Sequence, residues 1–384
     1  MNQTSDDRPQ PLDERPEPVR VVVVGAGGMG RAWIRTVLGF PHAHLVGVAD
    51  VLDGAAARAV EEEVPEARRE AVATGIDAVT VAQQAGAEAI IDVTIPAAHH
   101  AVTSDALHAG LPVLGEKPCA ATLAEAVSLA GHAETTGELF MVSQSRRHNP
   151  HLRETRRLAD QLGGAGIVDT RFHRAPRFGG FREAMDHPLI VDMAIHAFDA
   201  GRVLIDGNPV SVRASSYNPP WSWYAGDAAA TVTIAYDTGA VHTYSGSWCA
   251  PGRETSWNGE WSLSCPQGSV HWDGEASPTA QPEGAQEIIG RRPDGTDLWE
   301  LEASLAEFCA ALRTGTTPDS EVHSNVWTQA IVEAAVRAAD TGRQVQLSEV
   351  LDAALEAARQ LDSADGRSSA LATWKTGSSG LTAQ

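Results

Sequence analysis

The chain has 384 residues, more than one hydrophobic core usually organises, so two domains are expected. Its formal charge of −21 argues against nucleic acid or an anionic membrane as the main partner, since both need a cationic face. Four scattered cysteines, Cys119, Cys249, Cys265 and Cys309, have neither zinc-ligand spacing nor disulfide density, so reduced thiols and no metal are expected.

Residues 1–18 hold Pro, Asp, Glu and Arg without apolar periodicity and are predicted to be disordered. The opening Met1 to Asp7 lacks the basic and apolar regions of a signal peptide, and no apolar run approaches the roughly 20 residues of a membrane span. A cytoplasmic protein is the expectation. From 19 to 145, apolar runs near 20–24, 45–49, 88–94, 112–115 and 139–143 alternate with alanine-rich helical stretches. Strand–helix alternation predicts an α/β domain of Rossmann type, with a doubly wound parallel sheet.

The first strand runs directly into Gly25-Ala26-Gly27-Gly28-Met29-Gly30, a G-x-G-x-x-G pattern, and Asp50 closes the next apolar run. The first glycine makes the turn, the second lets backbone amides approach a pyrophosphate, and the third lets the helix pack on the strand. Asp50 stands where a carboxylate would accept hydrogen bonds from a ribose diol and repel a 2′-phosphate, which predicts NAD rather than NADP. Lys117, in Gly115-Glu116-Lys117-Pro118, follows the short strand 112–115 and so faces the cofactor crevice, where an amine can orient a substrate hydroxyl.

Residues 146–362 change rhythm to a helix and then strands in meander order at 166–173, 208–216, 228–236, 240–248, 260–265 and 268–272, with helices at 297–314 and 321–341. An α+β domain with a mostly antiparallel open sheet is predicted, its last helices packing back on the first domain. Within it, Leu189 to Ile205 reads as one apolar helix with Asp192, His196 and Asp199 on a narrow stripe. An Asp/His pair there is a ready proton-transfer unit. Arg171, Arg174, Arg177 and Arg182 gather with His173 and His187 just ahead of that helix, and six of the ten tryptophans fall between Trp221 and Trp272. Exposed Trp221, Trp223 and Tyr224 suit a sugar face, and Arg174 or Arg177 suits an acidic group on it. Residues 363–384 are small and polar, which predicts a disordered tail.

Taken together, Gly25–Gly30, Thr94-Ile95-Pro96 with His100, Glu116-Lys117-Pro118, Arg147-His148-Asn149-Pro150 and Asp192-x-x-x-His196-x-x-Asp199 resemble the glucose-fructose oxidoreductase, inositol dehydrogenase and rhizopine-catabolism (Gfo/Idh/MocA) family from about Arg20 to Leu361. The resemblance implies that Lys117, Asp192 and His196 form a catalytic trio. It also implies that Thr94, Pro96, His100 and Glu116 contact the nicotinamide side of the cofactor, and Arg147 is expected on the substrate side with His187. Two departures stand out: Ala97 replaces an asparagine, and His187-Pro188-Leu189-Ile190 replaces a glycine-rich run. The expected activity is NAD-dependent oxidation of a secondary hydroxyl of a sugar, sugar derivative or cyclitol. The alternatives are an NAD-dependent glycosidase with no net redox change, using Tyr224, His173 or His187 as a further base, and a non-catalytic dinucleotide sensor. A homo-oligomer, dimer or tetramer, joined through the C-terminal sheet is expected.

Overall fold

In a computed structural model that describes residues 17–367 and 369–381, the first sheet is built from the run Val19–Val24, whose β-branched side chains are buried on both faces. Along the chain follow β1 (Val19–Val24), α1 (Gly28–Gly39), β2 (Ala43–Ala49), α2 (Ala55–Glu63), α3 (Glu66–Arg69), β3 (Ala73–Gly75), α4 (Ala78–Ala85), β4 (Ala89–Asp92), α5 (Pro96–His108), β5 (Val113–Glu116), α6 (Leu123–Thr136) and β6 (Phe140–Ser143). The strands are all parallel in the order β3-β2-β1-β4-β5-β6. That order reverses between β1 and β4, and the crevice of a doubly wound sheet opens at the carboxyl ends of the strands there. Of the stretch expected to be disordered, residues 1–18, all but Glu17 and Pro18 lie outside the described residues.

A 3₁₀ turn, Ser145–His148, leads to α7 (Pro150–Gln161), β7 (Ile167–His173), α8 (Phe181–Ala184), a π-helical turn at Leu189–Ala194 and α9 (Ile195–Leu204). Then come β8 (Pro209–Tyr217), β9 (Ala229–Tyr236), β10 (Val241–Ser247), β11 (Glu260–Cys265), β12 (Gly268–Trp272), β13 (Thr279–Pro282), β14 (Ile288–Ile289), α10 (Glu300–Thr314), α11 (Val322–Thr341), β15 (Val345–Gln346) and α12 (Leu347–Ala364). These strands form one nine-stranded sheet in the order β14-β13-β12-β11-β7-β10-β9-β8-β15. Period-two patterning sets its faces: Val232, Ile234 and Tyr236 are buried, while Thr231 and Thr233 face solvent. The expected meander is interrupted by β7, which lies between β10 and β11, parallel to the first and antiparallel to the second. Helices rather than a tight turn follow β7, so it has no hairpin partner of its own.

Helices α9 and α11 cover the inner face of this sheet, and α11 and α12 also pack on α6, so one apolar core runs from the first domain into the second. The tail expected to be disordered from residue 363 is instead folded over its described part. Leu371 is fully buried on Gly131 of α6, where a Cβ would strike Leu371 Cγ at 2.6 Å, and Trp374 Nε1 donates to Glu134 at 2.9 Å. Arg359 donates to the carbonyls of Leu371 and Trp374. Two large apolar side chains are enough to anchor an otherwise polar segment. Among the described residues no helix is long and apolar enough to cross a membrane.

Candidate active site

The glycine loop closes the end of β1 as its sequence requires. Gly25 has φ +101°, and a Cβ there would lie 2.6 Å from the Val93 carbonyl oxygen; a Cβ on Gly30 would lie 1.8 Å from the carbonyl oxygen of Gly25. Gly27 is different. Its φ of −71° suits any residue, and a Cβ would meet no protein atom within 4 Å. That open space lies over the N-terminus of α1, which no side chain caps, so its free amides face an approaching phosphate. Ala26 N–H donates to Asp50 Oδ2 at 2.7 Å, and Leu52 N–H donates to Oδ1 at 2.8 Å, which fixes the carboxylate beside the loop. Gly28 and Met29 lie in the first turn of the same helix, and Met29 is half exposed. These residues fit a dinucleotide: a cradle that a Cβ would fill, a helix N-terminus and an acid at the end of β2.

Across the switch point, buried Asp92 accepts hydrogen bonds from Thr94 N, Thr94 Oγ1 and Thr103 Oγ1, which shapes the turn before Pro96 opens α5. His99 then bridges two loops, with Nδ1 2.8 Å from the Pro118 carbonyl oxygen and Nε2 3.1 Å from that of Thr94. Sequence reading missed this residue and chose its neighbour. His100, expected at the nicotinamide, is buried with Nε2 at 2.9 Å from Ser128 Oγ, turned toward α6 and away from the crevice. Glu116 is likewise turned inward: Trp33 Nε1 donates to its Oε1 at 2.8 Å, and burial raises its carboxyl above the ordinary range. Both side chains are thus held by hydrogen bonds within the framework.

Lys117, just past β5, donates from Nζ to the Asp192 carbonyl oxygen at 3.0 Å and to Asp192 Oδ1 at 3.1 Å. Arg182 Nε donates to Asp192 Oδ2 at 2.6 Å. Burial alone would raise the Asp192 carboxyl, but the charges of Lys117 and Arg182 outweigh it and hold it below the ordinary carboxylate range. His196 follows on the next turn. Burial, then the Arg146 and Lys117 charges, push its imidazole well below the ordinary value, so the ring is neutral; its Nδ1 is buried without a hydrogen-bond partner among the described residues.

The expected stripe of Asp192, His196 and Asp199 is divided, with Asp192 in a π turn while His196 and Asp199 share α9. Leu189–Ala194 is a π turn, whose wider spacing breaks the α-helical phase before α9 begins. Asp199 turns instead to Arg147, accepting from Nε at 3.0 Å and from Nη2 at 2.8 Å, and also from Thr328 Oγ1. Arg147 is only 3% exposed, so a carboxylate must answer its charge. It therefore is not free to bind substrate. Its neighbour Arg146 has no carboxylate partner among the described residues, and it lines a narrow cavity beside His196 with Met193, Tyr244, Trp257 and Trp272. Arg146 donates to the Trp257 carbonyl oxygen, and the buried Tyr244 hydroxyl there has no hydrogen-bond partner among the described residues. In a 3₁₀ turn successive arginines point to different sides, and the sequence does not say which one faces the site.

The arginine-rich approach is only partly available. Arg174 pairs with Glu254 at 2.7 Å and lies over Trp257, and Arg171 approaches Glu260 at 3.9 Å. Arg177 stacks on Trp223 at 3.9 Å with no ion pair among the described residues. Trp221 is 61% exposed, and its Nε1 donates to the Cys249 carbonyl oxygen. Tyr224 is buried, donates its hydroxyl to the Pro176 carbonyl oxygen, and is pushed up to about 12, first by burial. His187 spends Nε2 on Asp340 and Nδ1 on Ser216, each at 3.0 Å. Neither ring is therefore placed to meet a substrate.

Residues 19–144 match the Gfo/Idh/MocA oxidoreductase family, described as an NAD-binding Rossmann fold, and residues 132–271 match the C-terminal domain of the same family. Among curated relatives, the chain is 26% identical over 359 residues to an uncharacterized protein, y4oX, of Sinorhizobium fredii, covering 86% of this chain and 96% of that one. It is 31% identical over 198 residues to inositol 2-dehydrogenase 1 of Saccharopolyspora erythraea, covering 50% of this chain and 56% of the relative. In fold it is similar to an oxidoreductase from Agrobacterium radiobacter solved with NAD+, L-tartaric acid and magnesium, with a TM-score of 0.77 at 17% identity over 86% of this chain and 98% of the other. A levoglucosan dehydrogenase solved with NADH and levoglucosan aligns with a TM-score of 0.73 at 17% identity, over 86% and 100% of the two chains.

Proposed function

The chain belongs to the Gfo/Idh/MocA family of NAD-binding oxidoreductases, and from that premise we propose that it oxidises a secondary hydroxyl of a sugar, sugar derivative or cyclitol. NAD, held by Gly25–Gly30 with Asp50 at the ribose, supplies the hydride acceptor when bound. The neutral imidazole of His196 takes the hydroxyl proton, while Lys117 Nζ orients the hydroxyl oxygen. Asp192 positions Lys117 and keeps its charge compensated within the crevice. The observation that carries the proposal is the 3.1 Å Lys117–Asp192 pair at the end of β5, one turn from an imidazole kept neutral by its surroundings.

The relative from Saccharopolyspora erythraea is named for an inositol, which supports a polyhydroxylated substrate. Redox-neutral glycoside cleavage would need a further base, and two of its three candidates, Tyr224 and His187, are already engaged, which leaves only His173 for that role. An intact proton-transfer group argues against a mere sensor. We place the protein in the cytoplasm, as a homo-oligomer joined across the open face of the nine-stranded sheet. The test is a panel of sugars, cyclitols and aryl glycosides with purified protein and NAD, following NADH and released aglycone together. NADH formation without aglycone release is expected; aglycone release without net NADH would overturn the assignment.

A further inference from the structure

Outside the crevice, three ligand-bearing side chains from separate elements meet: His100 of α5, His132 of α6 and Asp362 of α12. One donor atom from each lies within 4.8 Å of the others, and the residues are 9%, 1% and 4% exposed. His132 Nε2 is buried without a hydrogen-bond partner among the described residues and faces Asp362 Oδ1 at 3.4 Å. That separation is close to the edge of a tetrahedron whose centre is about 2.1 Å from each donor, the distance at which zinc takes imidazole nitrogen and carboxylate oxygen. The outer atoms are held as metal ligands usually are. His132 Nδ1 shares a hydrogen bond with His108 Nε2 at 3.0 Å, and Ser369 donates to the second oxygen of Asp362. Ser128 Oγ sits between His100 Nε2, at 2.9 Å, and Asp362 Oδ1, which accepts its hydrogen bond.

We propose that His100, His132 and Asp362 bind one zinc ion or a like divalent transition metal, with Ser128 or water in the fourth position, clipping α12 to the helices of the first domain. Two imidazoles select this class over magnesium or calcium, which take oxygen ligands. The site runs against the expectation of no metal, which rested on the cysteines; its ligands come from distant parts of the chain and form no motif. It lies apart from the crevice and does not depend on the oxidoreductase assignment.

The full chain, stripped with a chelator and dialysed, is titrated with Co2+ and then Zn2+. One metal per chain is expected, with the visible absorption of tetrahedral Co2+ that Zn2+ displaces, and a higher melting temperature on loading. His132→Gln and Asp362→Asn should each weaken binding roughly 10- to 100-fold, while His44→Gln at the surface leaves it unchanged. A cooperative melting transition in the metal-free state shows that a variant is folded; His100→Gln replaces any that is not. Absence of stoichiometric metal from the wild-type chain, or binding equal in the ligand variants and wild type, would overturn the site.

Discussion

Asp192 and Asp199 lie seven positions apart and answer cations in different ways. Asp199 closes a bidentate pair with Arg147 inside the protein, whereas Asp192 divides its oxygens between Lys117 and Arg182 at the edge of the crevice. A sealed pair is framework, and an edge pair can rearrange around a substrate. Lys117→Ala and His196→Ala should therefore each cut kcat by roughly 100-fold or more with little change in NAD affinity, the size of a lost acid/base group. Unchanged activity per folded molecule in His196→Ala would refute its role. The acid limb of kcat/KM is a second readout. Burial comes first, then the charges of Arg146 and Lys117, in holding His196 well below the ordinary imidazole range, so activity should persist below about pH 6.5. Arg146→Gln removes one lowering charge and should move that limb upward in pH. Asp50→Ala should narrow the preference for NAD over NADP, and it should weaken both cofactors because Ala26 N–H loses its acceptor; tighter NADP binding by the wild-type chain would contradict the assignment.

At the scale of elements, the strand–turn–helix at the start was legible because each glycine meets a separate steric demand. Gly30→Ala puts a Cβ 1.8 Å from a backbone oxygen and should destabilise by about 1–3 kcal/mol or more, whereas Gly27→Ala fills open space and should change stability by no more than about 0.5 kcal/mol. Yet Gly27→Ala should weaken NAD by about tenfold or more, because that space is where the pyrophosphate would lie. Melting curves and cofactor titration separate the two. The helix at Asp192 was less legible. Periodicity places Asp199 under His196, but buried Arg147, from a distant part of the chain, decides where it points. The choice between Arg146 and Arg147, or between His99 and His100, is likewise made by packing partners that no local pattern names. Helix α12 had a signal in Leu347, Val350, Leu351, Ala354, Leu355 and Ala358, a 3–4 spacing that the small, polar end of the chain obscured.

For the whole molecule, two patterns in sequence, strand–helix alternation and then alternating strands, gave most strands of both sheets but not the short β3, β13, β14 and β15 or the place of β7; the folded tail depends on Leu371 and Trp374 finding a groove that exists only once α6 and α12 have met. The shared core also sets how the protein responds to acid. His148 and His242 are each pushed down to about 3 and His196 well below the ordinary value, all first by burial. In the unfolded chain each returns to about 6.5, so below that pH the unfolded state binds more protons. Their contribution to stability is complete above about pH 6.5 and is lost progressively as pH falls toward 3. His323 acts in the opposite sense: burial lowers it, but the hydrogen-bonded carboxylate of Glu321 outweighs burial and raises it, so its pairing strengthens as it protonates. Three buried neutral rings outweigh one raised ring, and the melting temperature should fall steadily from about pH 6.5 to pH 5, before ordinary carboxylates begin to titrate. His242→Gln, which keeps a polar group beside Thr170 Oγ1 without a titrating ring, should flatten that slope; an unchanged slope would mean that His242 is not kept neutral by the fold.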